Sequence, residues 1–228
     1  MKKILLLLWA VSCFQYSQAQ IDDDQLGAWY MYFYSANLGD GPWGIQGDAQ
    51  WRNWDMAGDL EQLLLRSGLT YRPNQANVLL TLGYANITTG EFGESTRTVN
   101  ENRIYQELMY PTKLGNRFHL NHRFRYEQRF LAENVFRTRY RFNLFVNVPL
   151  NNLEMTTQTI YLALYNELFI NGSYHGDGSA PEEFDRNRLY AGFGYFFSPS
   201  LRTQFGIMNQ STNSWSKNQL QLNLHHQF

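Results

Sequence analysis

Beyond residue 20 the chain alternates between apolar and polar positions. From Arg117 to Phe130, Phe118, Leu120, Phe124, Tyr126 and Phe130 share one parity. Arg117, His119, Asn121, Arg123, Arg125, Glu127 and Arg129 share the other. The next segment repeats this, with Phe136, Tyr140, Phe142, Leu144, Val146 and Val148 set against Arg137, Arg139, Arg141 and Asn143. A strand sends successive side chains to opposite faces, so each segment reads as a strand with one apolar and one charged side. No segment sustains a period of 3.6. The pattern predicts strands at 26–34, 43–52, 60–71, 77–88, 101–111, 116–130, 134–148, 153–170, 185–197, 200–210 and 215–228. Pro42, Pro73, Pro111, Pro149, Pro181 and Pro199 fall between these candidates or at their ends, where a missing N–H is tolerated. Connections at 72–76, 112–116, 149–152 and 198–200 are tight, whereas 89–100 and 171–184 are long and polar. That alternation predicts an up-and-down antiparallel sheet with one end trimmed and the other decorated.

Strand length narrows the fold. Soluble sandwich strands average about five or six residues, and about nine to eleven cross a bilayer at a tilt. Many of these candidates reach the longer range. A sheet in lipid must satisfy every backbone group, so it closes into a barrel. Bacterial single-chain barrels use even strand numbers. The expectation is therefore ten or twelve strands, with twelve favoured and one strand hidden in a segment that reads as loop. The last residue, Phe228, ends an alternating strand through Leu220, Leu222, Leu224 and His226. A terminal aromatic there is the expected assembly signal for barrel-insertion machinery.

Composition agrees. Aromatic residues make up 16% and charged residues 17% of the chain, against disorder. A formal charge of -1 removes any global electrostatic case for nucleic-acid binding. A mean hydropathy of -0.47 excludes a bundle of transmembrane helices.

The first residues read as an address. Lys2 and Lys3 precede the apolar stretch Ile4 to Phe14, and Ser17 and Ala19 are small residues before a cleavage site at Gln20. This predicts a signal peptide at 1–19 and a single domain at 20–228, placed in the outer membrane of a Gram-negative cell. Cleavage removes Cys13, the only cysteine, leaving no disulfide and no thiolate. Ala10-Val11-Ser12-Cys13 loosely resembles a lipobox, but Ala replaces the usual Leu and the apolar stretch would be cut short. After cleavage only Lys113 and Lys217 remain as lysines against fifteen arginines. Arginine forms planar, multidentate pairs with carboxylates and suits a packed polar interior. The charged face therefore reads as lumen and the aromatic face as the lipid side.

The segments Leu26-Gly27-Ala28-Trp29, Asn102 to Leu108, His122 to Phe130, Phe136 to Arg141 and Asp185 to Leu189, with the closing strand at Phe228, carry a family resemblance. The chain resembles domain-of-unknown-function family 2490 of outer-membrane β-barrel proteins over essentially its whole mature length. The resemblance implies a location and supplies no reaction.

The candidate lumen charge network is Arg103, Glu107, Arg117, Arg123, Arg125, Glu127, Arg129, Arg137, Arg139 and Arg141, with Asp48 and Glu167 as partners on other strands. A small barrel's interior barely holds its own side chains, which favours a salt-bridged filling over an anion-selective wall. His119 and His122 point to opposite faces, as do His225 and His226, so no metal ligand set and no cofactor is expected. His122 falls on the lipid face, where a bulge or an interfacial depth would accommodate it. Ser173, His175 and Asp177 form the only compact catalytic-looking set, in a glycine-rich loop without a nucleophile elbow. Asp22-Asp23-Asp24 lacks calcium-loop spacing and reads as a solvated linker. Trp29, Trp43, Trp51, Trp54 and Trp215 read as interfacial girdle residues. The sequence thus predicts a monomeric, non-enzymatic barrel in outer-membrane lipid, structural or narrowly conducting. The alternatives are a lipid-modifying enzyme of the outer membrane, and a soluble or lipoprotein barrel with inverted faces that binds an apolar ligand.

Overall fold

The computed structural model describes residues 25–93, 95–175 and 182–228. The predicted signal peptide at 1–19, Cys13, Asp22 to Asp24 and Asp177 lie outside the described residues.

Among the described residues eleven strands form one closed barrel: β1 (Gly27–Asn37), β2 (Trp43–Asn53), β3 (Leu60–Tyr71), β4 (Leu79–Gly90), β5 (Thr98–Leu114), β6 (Phe118–Phe130), β7 (Phe136–Pro149), β8 (Ile160–His175), β9 (Phe184–Ser198), β10 (Leu201–Ser211) and β11 (Ser216–Gln227). The only described helical piece is a 3₁₀ turn at Ala132–Asn134. Consecutive strands pair antiparallel, and β1 pairs with β11 in parallel, from Gly27 opposite Gln219 to Ser35 opposite Gln227. The expectation of an even, wholly antiparallel barrel of ten or twelve strands is thus corrected. In an up-and-down sheet of eleven strands the first and last run the same way, so closure needs one parallel seam.

The odd number puts the start of β1 and the end of β11 at opposite rims, here called the N rim and the C rim. Turns 54–59, 91–97, 131–135 and 212–215 lie at the N rim. Turns 38–42, 72–78, 115–117, 150–159 and 199–200 lie at the C rim. The expected division into trimmed and decorated ends fails at 150–159. Leu153 and Met155 mimic strand alternation, but side chains capture the backbone there. Thr159 Oγ1 accepts from the Thr156 N–H and donates to the Glu154 carbonyl, and Asn151 Oδ1 accepts from the Ile160 N–H. Such local bonds compete with a ladder. β8 therefore starts at Ile160 and runs on to His175, into the first residues of the segment expected to be loop. At the N rim, the Asp55 carboxylate accepts the N–H groups of Ala57, Gly58 and Asp59, which hold its pKa below the ordinary aspartate value.

Pro111 lies inside β5 rather than at its end. It is tolerated because β4 stops at Leu79, opposite Met109, so the proline faces β6 alone. The Asn77 side chain donates to its carbonyl at 3.1 Å.

The alternation sorts the wall into two faces. Leu82, Phe124, Leu189, Phe193 and Phe205 stand outside, with Leu189 59% and Phe193 62% exposed. Arg66, Arg103, Arg125, Glu127, Arg139, Arg141 and Glu167 are buried inside. No Asp, Glu, Lys or Arg of the described strands stands on the outer wall. Lys113, at the tip of β5 past the end of β4, pairs with Glu154 in the turn at 2.6 Å.

Rings laid over glycines allow the inner wall to pack. The Tyr105 ring covers Gly83 and the Tyr161 ring covers Gly194, so closely that a Cβ at either glycine would overlap the ring. Gly83→Val is expected to destabilise the barrel by about 1–3 kcal/mol through overpacking. Thermal unfolding followed by circular dichroism would show this as a lower midpoint with unchanged strand content.

Candidate functional site

The inner wall holds a continuous network of arginines and carboxylates. Glu127 on β6 is 1% exposed and accepts from Arg139 and Arg141 of β7 at 2.7 Å each. Arg103 of β5 lies 3.6 Å from it and Arg125 of its own strand 3.8 Å. Arg141 then bridges to Glu167 on β8 at 2.5 Å, and Arg123 reaches the same carboxylate at 2.6 Å. Glu107 accepts from Arg125. Glu101 takes two guanidinium groups, from Arg103 at 2.5 Å and Arg129 at 2.6 Å. Taking a charge out of water is costly unless it is paired and hydrogen-bonded, and arginine's five donors let one side chain satisfy two carboxylates.

Two β-bulges extend the network beyond strict alternation. Between β2 and β3, Arg52 pairs with Gln62 and Asn53 with Leu60, leaving Glu61 extra. Between β8 and β9, Phe169 pairs with Arg186 and Ile170 with Phe184, leaving Asp185 extra. Each bulge supplies the interior with a carboxylate. Glu61 accepts the Trp29 indole N–H at 2.7 Å, and Asp185 pairs with Arg139 at 2.8 Å. A bulge of this kind re-aims a side chain that the pleat would send outward.

Nine of the ten network residues predicted from sequence face the interior. Arg103, Glu107, Arg123, Arg125, Glu127, Arg129, Arg139 and Arg141 enter the ion pairs above, and the Arg137 guanidinium lies 4.4 Å from the Tyr174 ring centre. Arg117 is the exception. It precedes β6 in the turn, is exposed, and donates to the carbonyl of Pro149 at 3.0 Å. Parity alone placed it with the others, and parity loses meaning where the strand ends. Asp48 and Glu167, expected as partners, pair with Arg66 and with Arg141.

Trp29 is corrected from girdle to lumen. It is 2% exposed, with the Arg52 and Arg188 guanidinium groups 4.0 and 4.8 Å from its ring centre. Trp54 is also buried, packed edge-on against Phe92 among the N-rim turns. Trp43 and Trp51 stand outside, against Tyr71 near the C rim and Tyr30 near the N rim. Trp215 lies in the 212–215 turn at the N rim. His122 is outward near the C rim, within 3.2 Å of the Thr112 hydroxyl. Phe228 lies just past β11, exposed, with its N–H on the Ser35 carbonyl at 2.9 Å across the seam. Ser173 and His175 sit near the end of β8, where the Ser173 N–H donates to Thr138 and His175 stacks on Phe136. Among the described residues no cluster of three His, Cys, Asp or Glu side chains could hold a metal ion.

The network divides the interior. On the N-rim side Glu101, Arg103, Arg129, Glu127, Arg139 and Asp185 join β5, β6, β7 and β9 in ion pairs. On the C-rim side a cavity of about 320 Å³ remains. Its floor holds Trp29, Arg52, Arg66, Glu107, Arg125 and Arg141, and its walls include Met31, Phe33, Met109, Phe145 and Phe196. It reaches the rim at Ser200 and Gln227.

Glu127→Gln would leave Arg103, Arg139 and Arg141 facing one another without their shared carboxylate. Removing one partner of a buried pair costs about 3–5 kcal/mol. Chemical unfolding should show a loss of that size, whereas Glu154→Gln, at the exposed pair with Lys113, should leave the midpoint in place.

No curated protein matches the chain. The family described as a protein of unknown function (DUF2490) matches residues 26–221, and the chain belongs to that family.

Proposed function

We propose that the chain is an outer-membrane β-barrel protein without catalytic activity. It is exported by the signal at 1–19 and inserted through the strand that ends at Phe228. Its arginine-rich lumen is plugged by ion pairs on the N-rim side and left open as a cavity on the C-rim side. On this reading the barrel is a structural or narrowly solute-handling element rather than an open pore.

The observation that carries the reading is the charge division of the wall. Every charged side chain of the described strands lies inside or at a rim, and the outer wall is dominated by leucine, phenylalanine and tyrosine. Water would tolerate charge on that wall and lipid would not, at a cost of about 2–4 kcal/mol per Arg or Lys at mid-bilayer. The polar residues that do face outward are mostly amides on the N-rim side, and they pair across strands: Asn86 with Asn102 and Asn166 with Asn187 at 2.9 Å, and Asn209 with Asn218 at 3.0 Å. Paired amides suit the interface between apolar band and water. A soluble barrel with an apolar ligand inside would need the opposite assignment of faces.

Fractionation of cells expressing the full chain tests this. The protein is expected in the outer-membrane fraction, migrating faster on a detergent gel before boiling than after. Deleting Phe228 is expected to lower the folded, fast-migrating form several-fold. Recovery as a soluble periplasmic protein with no boiling-dependent shift would overturn the proposal.

A further inference from the structure

The C-rim cavity carries positive charge that the ion-pair network does not use. Every acid on its wall is already engaged: Asp48 with Arg66, Glu107 with Arg125, and Glu167 with Arg141 and Arg123. Arg202, on β10 near the mouth, is different. No carboxylate lies within ion-pair reach of it among the described residues, and its Nε has no hydrogen-bond partner. Its guanidinium lies 5.4 Å from the centre of the Phe196 ring.

The wall around Arg202 is also underused. The β10–β11 register sets Arg202 opposite His225 and Gln204 opposite Asn223. Asn223 is 4% exposed, yet its Oδ1 has no partner, and neither does His225 Nε2. Asn143, 2% exposed on the wall of the same cavity, likewise has an unpartnered Oδ1. The guanidinium and the His225 ring nitrogen can donate to an anion, whereas the two amide oxygens accept and call for a donor such as water. Apolar surface adjoins them directly: Phe33 stacks on His225 at 4.7 Å, and Phe196 lies beneath Arg202.

We propose that this cavity binds a small amphipathic carboxylate entering from the C rim. Its carboxylate sits on the Arg202 guanidinium and accepts from the ring N–H of His225. Its hydrocarbon part lies against Phe33, Phe196 and Met31. The Arg202 guanidinium, which unlike that of Arg52 is not held by amide side chains either, matches one carboxylate in charge and in fork geometry, and the adjoining rings and thioether match a short alkyl chain. The inference does not depend on which membrane holds the barrel.

Calorimetric titration of the folded full chain in lipid nanodiscs, with empty discs as the blank, tests it using hexanoate, hexanol, acetate and inorganic phosphate. Hexanoate is expected to bind saturably, and hexanol, acetate and phosphate at least tenfold more weakly. Arg202→Met, which keeps an apolar stem on the wall, is expected to weaken hexanoate at least tenfold. Arg202→Lys keeps the charge without the fork and is expected to fall between. It stands in should Arg202→Met not assemble. No saturable hexanoate binding, equal binding of hexanol or of phosphate, or unchanged hexanoate affinity in the Arg202 variants would overturn the proposal.

Discussion

A carboxylate with almost no access to water, Glu127, is held by arginines from three adjacent strands. Much of the wall depends on this constraint. A buried carboxylate needs cations, and the cations come only if β5, β6 and β7 all turn the same parity inward. Once that parity is fixed, the pleat sends Phe124, Tyr126, Tyr140 and Phe142 outward with no further choice. The network continues through Arg141 to Glu167 and from Arg139 to Asp185, and so ties β8 and β9 to the same register. Replacement of the arginines by lysine would leave each carboxylate with a point charge where it now has a fork.

Closure follows from strand number rather than from charge. Eleven up-and-down strands leave the first and last parallel, and the seam from Gly27 to Ser35 accepts this with an unbroken register. The seam also places the aromatic β1 beside the amide-rich inner wall of β11. Trp29 reaches Glu61 on one side, and Gln219 approaches the same carboxylate at 3.3 Å from the other. The interior is therefore asymmetric: ionic around β5 to β9, amide and aromatic around β1, β10 and β11. The cavity opens where the ionic filling gives out.

The sequence made all eleven strands legible because charge and aromaticity alternate so sharply along β5 to β9. The even-number rule for closure, set against eleven legible segments, points to the wrong strand count. Trp29 could not be placed because β1 reads Trp29-Tyr30-Met31-Tyr32-Phe33-Tyr34, large on both faces, with no polar contrast to say which is inside. Glu61 and Asp185 were hidden for another reason: a bulge reverses parity for one residue and leaves no mark in a period of two. Glu101 was within reach, since 101, 103, 105 and 107 share a parity and set Glu, Arg, Tyr and Glu on one face. The cavity was not legible at all, because it is the space left between side chains of strands distant in sequence.

In the proposed placement the uncharged outer wall lies against lipid while the charged wall is enclosed. Site-specific quenching tests it most directly. With Cys13 in the segment expected to be cleaved, single cysteines at Leu82, Phe124, Leu189 and Phe205 can each carry an environment-sensitive fluorophore in the barrel reconstituted into vesicles. Strong quenching of all four by brominated lipid tails and little by aqueous iodide is expected. Iodide quenching at these positions with no effect of the brominated lipid would contradict it.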